Sequence, residues 1–166
     1  MSDLLVKLYD LPPLYPVLED LKKENICIRR PIGPENYIVT EWIKTNFGDM
    51  WAGEAENAFF RSPKGIFLAL RKNTNADGSD GRPDILGFAC YDATVKGFFG
   101  PIGVAEKERG QNLGKALLLA CLHAMHDEGY GYGVIGAAGP VHFYEKCCGA
   151  IEIIGSEPGV YKGMLY

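Results

Sequence analysis

The sequence predicts a single α/β domain, a mixed sheet with helices on both faces. Three observations carry that expectation. A chain of 166 residues, 47% hydrophobic and 23% charged, fits one globular domain with a sizeable core. Short apolar runs bounded by glycine and proline read as strands, and they alternate with segments whose apolar residues recur at three and four, the spacing of a helix face. The resulting order is β, α, α, β, β, β, α, β, α, β, β, with no internal repeat.

Residues 1–24 read as an N-terminal extension punctuated by Pro12, Pro13 and Pro16, with a short helix around Val17, Leu18 and Leu21. The domain proper then spans residues 25–166. Ile26 to Arg30 is a first strand, stopped by Pro31. Pro34 opens a helix carrying Tyr37, Ile38, Glu41, Trp42 and Thr45, and Gly48 closes it. A second helix from about Met50 to Arg61 shows Trp51, Ala55, Ala58 and Phe59 on one face, and Ser62-Pro63 ends it. Gly65 to Arg71 and Ile85 to Val95 are strands joined by a loop rich in Asn, Asp, Gly and Pro. That loop holds Asp77, Asp80 and Asp84, too few ligands for a calcium site. Downstream, Tyr132 to Ala138 reads as a strand, Pro140 to Cys147 as a short helix, and Ile151 to Ile154 and Val160 to Leu165 as closing strands.

The net charge of -4 and pI near 5.4 exclude a general nucleic-acid surface, which needs a basic stripe. No apolar run reaches membrane-spanning length, and the opening residues lack the basic start and apolar core of a signal peptide. Five cysteines, Cys27, Cys90, Cys121, Cys147 and Cys148, make an odd set without a Cys-x-x-Cys pair. Reduced thiols in a cytoplasmic protein are expected, with no disulfide. His123 and His126 lie three apart but lack a third ligand, so no metal is expected.

The most informative stretch runs from Gly100 to Leu122. Phe98 to Val104 is a short apolar strand, Ala105 to Glu108 an exposed loop, and Arg109 to Gly114 carries two glycines. From Leu113 the residues Ala116, Leu117, Ala120, Cys121 and Ala124 mark a helix. A glycine-bearing turn at a helix start presents unpaired N–H groups and the positive end of the helix dipole, a setting for a phosphate or pyrophosphate. A P-loop is excluded because Ala116 follows Gly114-Lys115 where Ser or Thr must hold magnesium. The dinucleotide spacing occurs only at Gly131, Gly133 and Gly136, inside an expected strand rather than a strand-to-helix turn.

Arg109-Gly110-Gln111-Asn112-Leu113-Gly114 resembles the pyrophosphate loop of the GNAT superfamily of N-acetyltransferases, Arg/Gln-x-x-Gly-x-Gly/Ala. Asn112 stands for the first motif glycine, and asparagine tolerates the left-handed conformation better than most residues. Phe143-Tyr144-Glu145-Lys146-Cys147-Cys148-Gly149-Ala150 resembles the family's Phe-Tyr-Glu-Lys-x-Gly-Phe, with one extra residue before the glycine. The likeness covers about Ile85 to Tyr166 by motif and the first half by element order. It implies a single-domain, mostly antiparallel GNAT-like sheet whose strands near Phe98–Val104 and Tyr132–Ala138 splay apart.

The resemblance also implies an acetyl-CoA-dependent N-acetyltransferase acting by direct attack of a primary amine, without a metal. Ile102, Gly103, Val104, Arg109, Gly110, Gln111, Asn112, Leu113, Gly114, Lys115, Phe143 and Lys146 would then hold the cofactor. The Ile102 N–H would face the acetyl oxygen, and Tyr144 would protonate the departing thiolate. The general base stays open among Glu54, Asp92, His142 and a water chain. Trp51, Phe60 and Tyr91 are candidates to line the acceptor site. The acceptor itself is a small-molecule or peptide amine: an amino sugar, amino acid, polyamine, aminoglycoside or protein N-terminus. Nucleic acid and membrane are not expected partners, and a homodimer is kept open. The alternatives are a non-catalytic acyl-CoA-binding module of the same fold and a nucleotide-phosphate enzyme using the same turn.

Overall fold

The computed structural model describes residues 1–166. Its strands are β1 (Leu4–Lys7), β2 (Ile26–Arg29), β3 (Ile66–Arg71), β4 (Asp84–Tyr91), β5 (Phe98–Val104), β6 (Tyr132–Ile135) and β7 (Ile151–Glu152). Its helices are α1 (Tyr15–Lys23), α2 (Asn36–Phe47), α3 (Asp49–Phe60), α4 (Leu113–Asp127) and α5 (Val141–Cys148). The seven strands form one sheet in the order β2-β3-β4-β5-β6-β1-β7. Every neighbouring pair is antiparallel except β5–β6, which is parallel.

Side-chain alternation divides the core between the two faces of this sheet. Phe88 and Cys90 of β4, with Ile66, Leu68 and Leu70 of β3, pack against Val39, Ile43, Ala52, Ala55, Ala58 and Phe59 of α2 and α3. Ala89 and Tyr91 point the other way, into a larger cluster built around α4. Helix α4 is buried nearly all round: Leu118, Leu119 and Leu122 are as covered as Leu117 and Cys121. A helix apolar on every side needs cover on every side. The sheet supplies one wall, and Leu8, Val17 and Leu21 from the first residues supply the other.

The N-terminal segment is therefore more than the expected extension with a short helix. Helix α1 is present, but Leu4–Lys7 is a strand inserted between β6 and β7, with Leu4 and Val6 wholly buried. Four residues flanked by a 3-10 turn gave too little periodicity to reveal it. Three expected strands after α4 shrink or vanish: the one expected over Tyr132 to Ala138 ends at Ile135, where Gly136 and Ala137 turn the chain away. Only Ile151–Glu152 pairs, and Val160 to Leu165 holds a 3-10 turn at Gly159–Tyr161 instead of a strand.

The element that shapes the site is β5. One extra residue lies in β5 between the pairs Ala89↔Ile102 and Tyr91↔Phe99, a bulge at Gly100-Pro101, with Gly100 at φ 120°. Its parallel pairing with β6 consists of Phe98↔Val134 and Phe99↔Ile135 and stops there. Beyond the bulge, β5 stays paired with β4 and has no strand on its other side.

Gly103 shows how tightly the α2 end packs on this strand. A Cβ on Gly103 would lie 2.6 Å from Cζ of Phe47. Gly103→Ala should therefore lower stability by about 1–3 kcal/mol through overpacking. Urea unfolding checks this; an unchanged midpoint would show that the Phe47 ring gives way without cost.

Candidate active site

The cleft opens where β5 leaves β6. Its volume is about 1540 Å³, and its walls come from α3, β5, the turn before α4, the residues after β6, and α5. Backbone polarity on the β5 wall follows from the ladder. The Ala105 N–H donates to the Leu86 carbonyl, so Ala105 and, two residues back, Gly103 turn their backbone groups toward β4. Ile102 and Val104 fall between them and turn theirs into the cleft.

At the far end of β5 the turn into α4 presents unpaired backbone N–H groups. Asn112 adopts the left-handed conformation at φ 63°, ψ 17°, and its side chain makes no cap hydrogen bond. The first intrahelical bond runs from the Ala116 N–H to the Asn112 carbonyl, at 3.1 Å. The N–H groups of Leu113, Gly114 and Lys115 therefore have no acceptor within the helix. Arg109, Lys115 and Lys146 line the same end and add positive charge. Gly114 leaves room beside the Phe143 ring, whose Cζ would lie 3.5 Å from an added Cβ.

The one acid lining this end of the cleft is neutralised. Glu108 is buried, and its carboxylate accepts hydrogen bonds from Arg71 at 3.0 and 2.7 Å and from Gln111 Nε2 at 2.9 Å. Those contacts tie the turn to β3. They also explain why Gln111, alone among the expected cofactor residues, does not line the cleft. Its amide faces inward, to Glu108.

Tyr144 sits on α5 at the middle of the cleft, 5% exposed. Its ring meets Phe143 and Phe99 edge-on, with centroids 5.1 and 6.3 Å away. The hydroxyl has no protein partner, yet no side-chain polar atom is both sealed from solvent and unpaired, so the hydroxyl opens onto the cleft. Burial pushes its pKa up to about 12, which keeps the phenol protonated at neutral pH. The extra residue before Gly149 is absorbed by the helix: Cys147 and Cys148 are both buried, and Gly149 caps the end at φ 65°.

These features coincide with a family. The family model of GNAT acetyltransferases matches residues 36–150. The chain belongs to the GNAT acetyltransferase family. Solved structures agree on the fold. The glucosamine N-acetyltransferase region of a fungal multi-domain β-N-acetylglucosaminidase, described as GCN5-related, superposes with a TM-score of 0.69 at 14% identity, over 92% of this chain and 19% of that one. GCN5-related N-acetyltransferases from Sphaerobacter thermophilus and Kribbella flavida give 0.59 at 18% and 0.55 at 17%, over 92% and 91% of this chain and 48% and 53% of theirs. The chain thus spans about half the length of these two, and less of the first. No curated protein matches it in sequence.

In this GNAT domain the remaining sequence candidates separate cleanly. Glu54 lines the cleft; Asp92 and His142 do not. Asp92 instead accepts from the Gly97 N–H and the Tyr130 hydroxyl and pairs with Arg61 at 3.2 Å, while the His142 side chain is 90% exposed. Of the aromatic candidates, Trp51 lines the cleft. Phe60 points to solvent, and Tyr91 is buried on the α4 face with its hydroxyl between Arg30 and Glu128. Tyr161 and Thr94 also line the cleft; no motif marks Thr94, and the segment holding Tyr161 reads as a strand in the sequence. All five cysteines are free thiols, and no cluster of three His, Cys, Asp or Glu side chains converges on a point.

The Glu108 clamp should be visible in the acid range. The Arg71 guanidinium first, and Gln111 second, hold its pKa at about 2. The unfolded chain carries it at about 4.3, so it binds the proton more readily than the native state. Its stabilisation is complete above that value and is lost as pH falls toward about 2. Urea midpoints measured across this window should fall less steeply for Glu108→Gln than for wild type. Parallel slopes would contradict the clamp.

Proposed function

We propose that the domain transfers an acetyl group from acetyl-CoA to a primary amine by direct attack. The observation that carries this reading is the continuity of the cleft. Unpaired backbone groups of Ile102 and Val104 lead straight to the uncapped start of α4 and its basic side chains. A thin, amide-bearing arm ending in a pyrophosphate fits that path, and CoA has that form.

Acetyl-CoA supplies an acetyl group activated as a thioester. The N–H groups of Leu113, Gly114 and Lys115 would hold the pyrophosphate, with charge from Arg109, Lys115 and Lys146. Backbone groups of Ile102 and Val104 would align the pantetheine amides. The Ile102 N–H would stabilise negative charge developing on the acyl oxygen, a contribution fixed in place by the β4 ladder before reaction. Glu54 would take a proton from the incoming ammonium and pass it to water. The Tyr144 hydroxyl would donate to sulfur as the C–S bond breaks and recover its proton from the attacking nitrogen. A buried phenol suits that task, since it stays protonated until a strong base forms beside it.

Tyr144→Phe removes the hydroxyl and keeps the ring against Phe99 and Phe143. Acetyl-CoA affinity by calorimetry should hardly change, while kcat should drop by roughly 10²–10⁴-fold. Equal kcat at matched folded fractions would retire the acid role. Absence of thiol release from wild type across amines, with acetyl-CoA still bound, would favour a non-catalytic acyl-CoA-binding module.

A further inference from the structure

The two ends of the cleft carry opposite charge. Arg109, Lys115 and Lys146 all belong to the α4 and α5 end. At the α3 end the lining residues include Phe47, Met50, Trp51, Glu54, Thr94 and Tyr161, with no lysine or arginine among them. Two acids line the whole cleft, Glu54 and Glu108. Glu108 is consumed by Arg71 and Gln111. Glu54 has no ion-pair partner, and its one hydrogen bond comes from the Thr94 hydroxyl to Oε1 at 2.5 Å. Its Oε2 is left without a protein partner.

The surroundings hold this carboxylate in place. Asn57, one helical turn on, donates to the Ala93 carbonyl at 2.7 Å and pins the Asp92–Gly97 turn, and with it Thr94, to α3. From the opposite side comes Tyr161, half-buried, its phenol pKa raised by burial first and by the charge of Glu54 second. Its hydroxyl comes within 2.5 Å of where a Gly136 Cβ would lie, so any larger residue at 136 would expel it. Gly136, the last glycine of the Gly131, Gly133, Gly136 spacing, has its reason here. Trp51 and Phe47, with ring centroids 5.4 Å apart, form an aromatic wall beside the carboxylate.

We propose that Glu54, Thr94 and Tyr161 form an acceptor subsite that selects small cationic amines and rejects amines bearing a carboxylate next to the nitrogen. The proposal rests on the acetyltransferase reading above. An ammonium here gains an unpaired carboxylate and an aromatic face. An α-amino acid brings the same ammonium together with a carboxylate, which meets Glu54 with no lysine or arginine nearby to offset the repulsion. Thr94 and Tyr161 offer hydroxyls to a hydroxylated acceptor such as an amino sugar.

Thiol release from acetyl-CoA tests this with matched acceptors: tyramine against tyrosine, phenethylamine against phenylalanine, and glucosamine as the hydroxylated case. Wild type should prefer each decarboxylated partner by about tenfold or more in kcat/KM, a difference of about 1.4 kcal/mol. Glu54→Gln should lower kcat for both members of each pair, because the proton acceptor is lost, and should reduce the preference in kcat/KM to about twofold or less by raising KM for the cationic member alone, with acetyl-CoA affinity unchanged by calorimetry. Should Glu54→Gln fail to fold, Thr94→Val loosens the carboxylate and keeps its charge; it should weaken the cationic acceptors while the preference remains. Equal use of amino acids and their decarboxylated partners, or an undiminished preference in Glu54→Gln, would overturn the subsite. Acetylation of none of the cationic amines while acetyl-CoA binds would overturn it and leave the cofactor reading intact. Failure of acetyl-CoA to bind would overturn both.

Discussion

Strands β5 and β6 share backbone hydrogen bonds only as far as Phe99 and Ile135, and the functional half of the domain is built on their parting. Backbone N–H and C=O groups left without partners inside a sheet are costly unless water or a ligand meets them. The parting is enforced from several sides. The Gly100-Pro101 bulge redirects β5, and β4 holds its other edge in register. On the β6 side, the chain leaves the strand after Ile135 through Ala137 at φ 46°, whose N–H is taken by the Asp3 carboxylate at 2.8 Å. A polar slot with fixed walls is the result.

Charged networks at the two ends of the slot keep its rims in place. Arg61 joins Asp92 and Glu128, Glu128 accepts from Tyr91, and Asp92 accepts from Tyr130 and the Gly97 N–H. That web ties the end of α3, the end of α4 and the turn carrying Thr94 into one unit. Arg71, Glu108 and Gln111 do the same for the turn before α4. Removing one partner from such a network strands the others, so each is worth more as a positioning device than as a source of net stability. The two webs hold opposite ends of the cleft, one near the start of α4 and one near Glu54.

Much of this was legible in the sequence, for identifiable reasons. Twelve of the thirteen residues expected to hold cofactor or donate a proton line the cleft, because a helix start and a strand-to-helix turn announce themselves through local residues such as Gly110, Asn112 and Gly114. Asn112 adopts the left-handed conformation that asparagine tolerates where the motif has glycine. What escaped was long-range. Leu4–Lys7 pairs with residues more than a hundred positions away, and so short a strand carries no periodic signature. Gln111 points inward to Glu108, whose carboxylate is held by Arg71, a residue no spacing rule connects to this turn. Tyr161 reaches the α3 end of the cleft through a turn whose sequence reads as a strand, and Tyr91 lies away from the cleft on the sheet face that meets α4, a face that alternation alone does not single out.

The claim on which the account turns is that the free edge of β5 receives the cofactor's amides. Amide hydrogen exchange, read residue by residue with and without acetyl-CoA, addresses it directly. The account predicts that Ile102 and Val104 gain protection on binding, together with Leu113, Gly114 and Lys115. Gly103 and Ala105, already bonded to β4, should change little. Unaltered exchange at Ile102 and Val104 while acetyl-CoA is bound would contradict it.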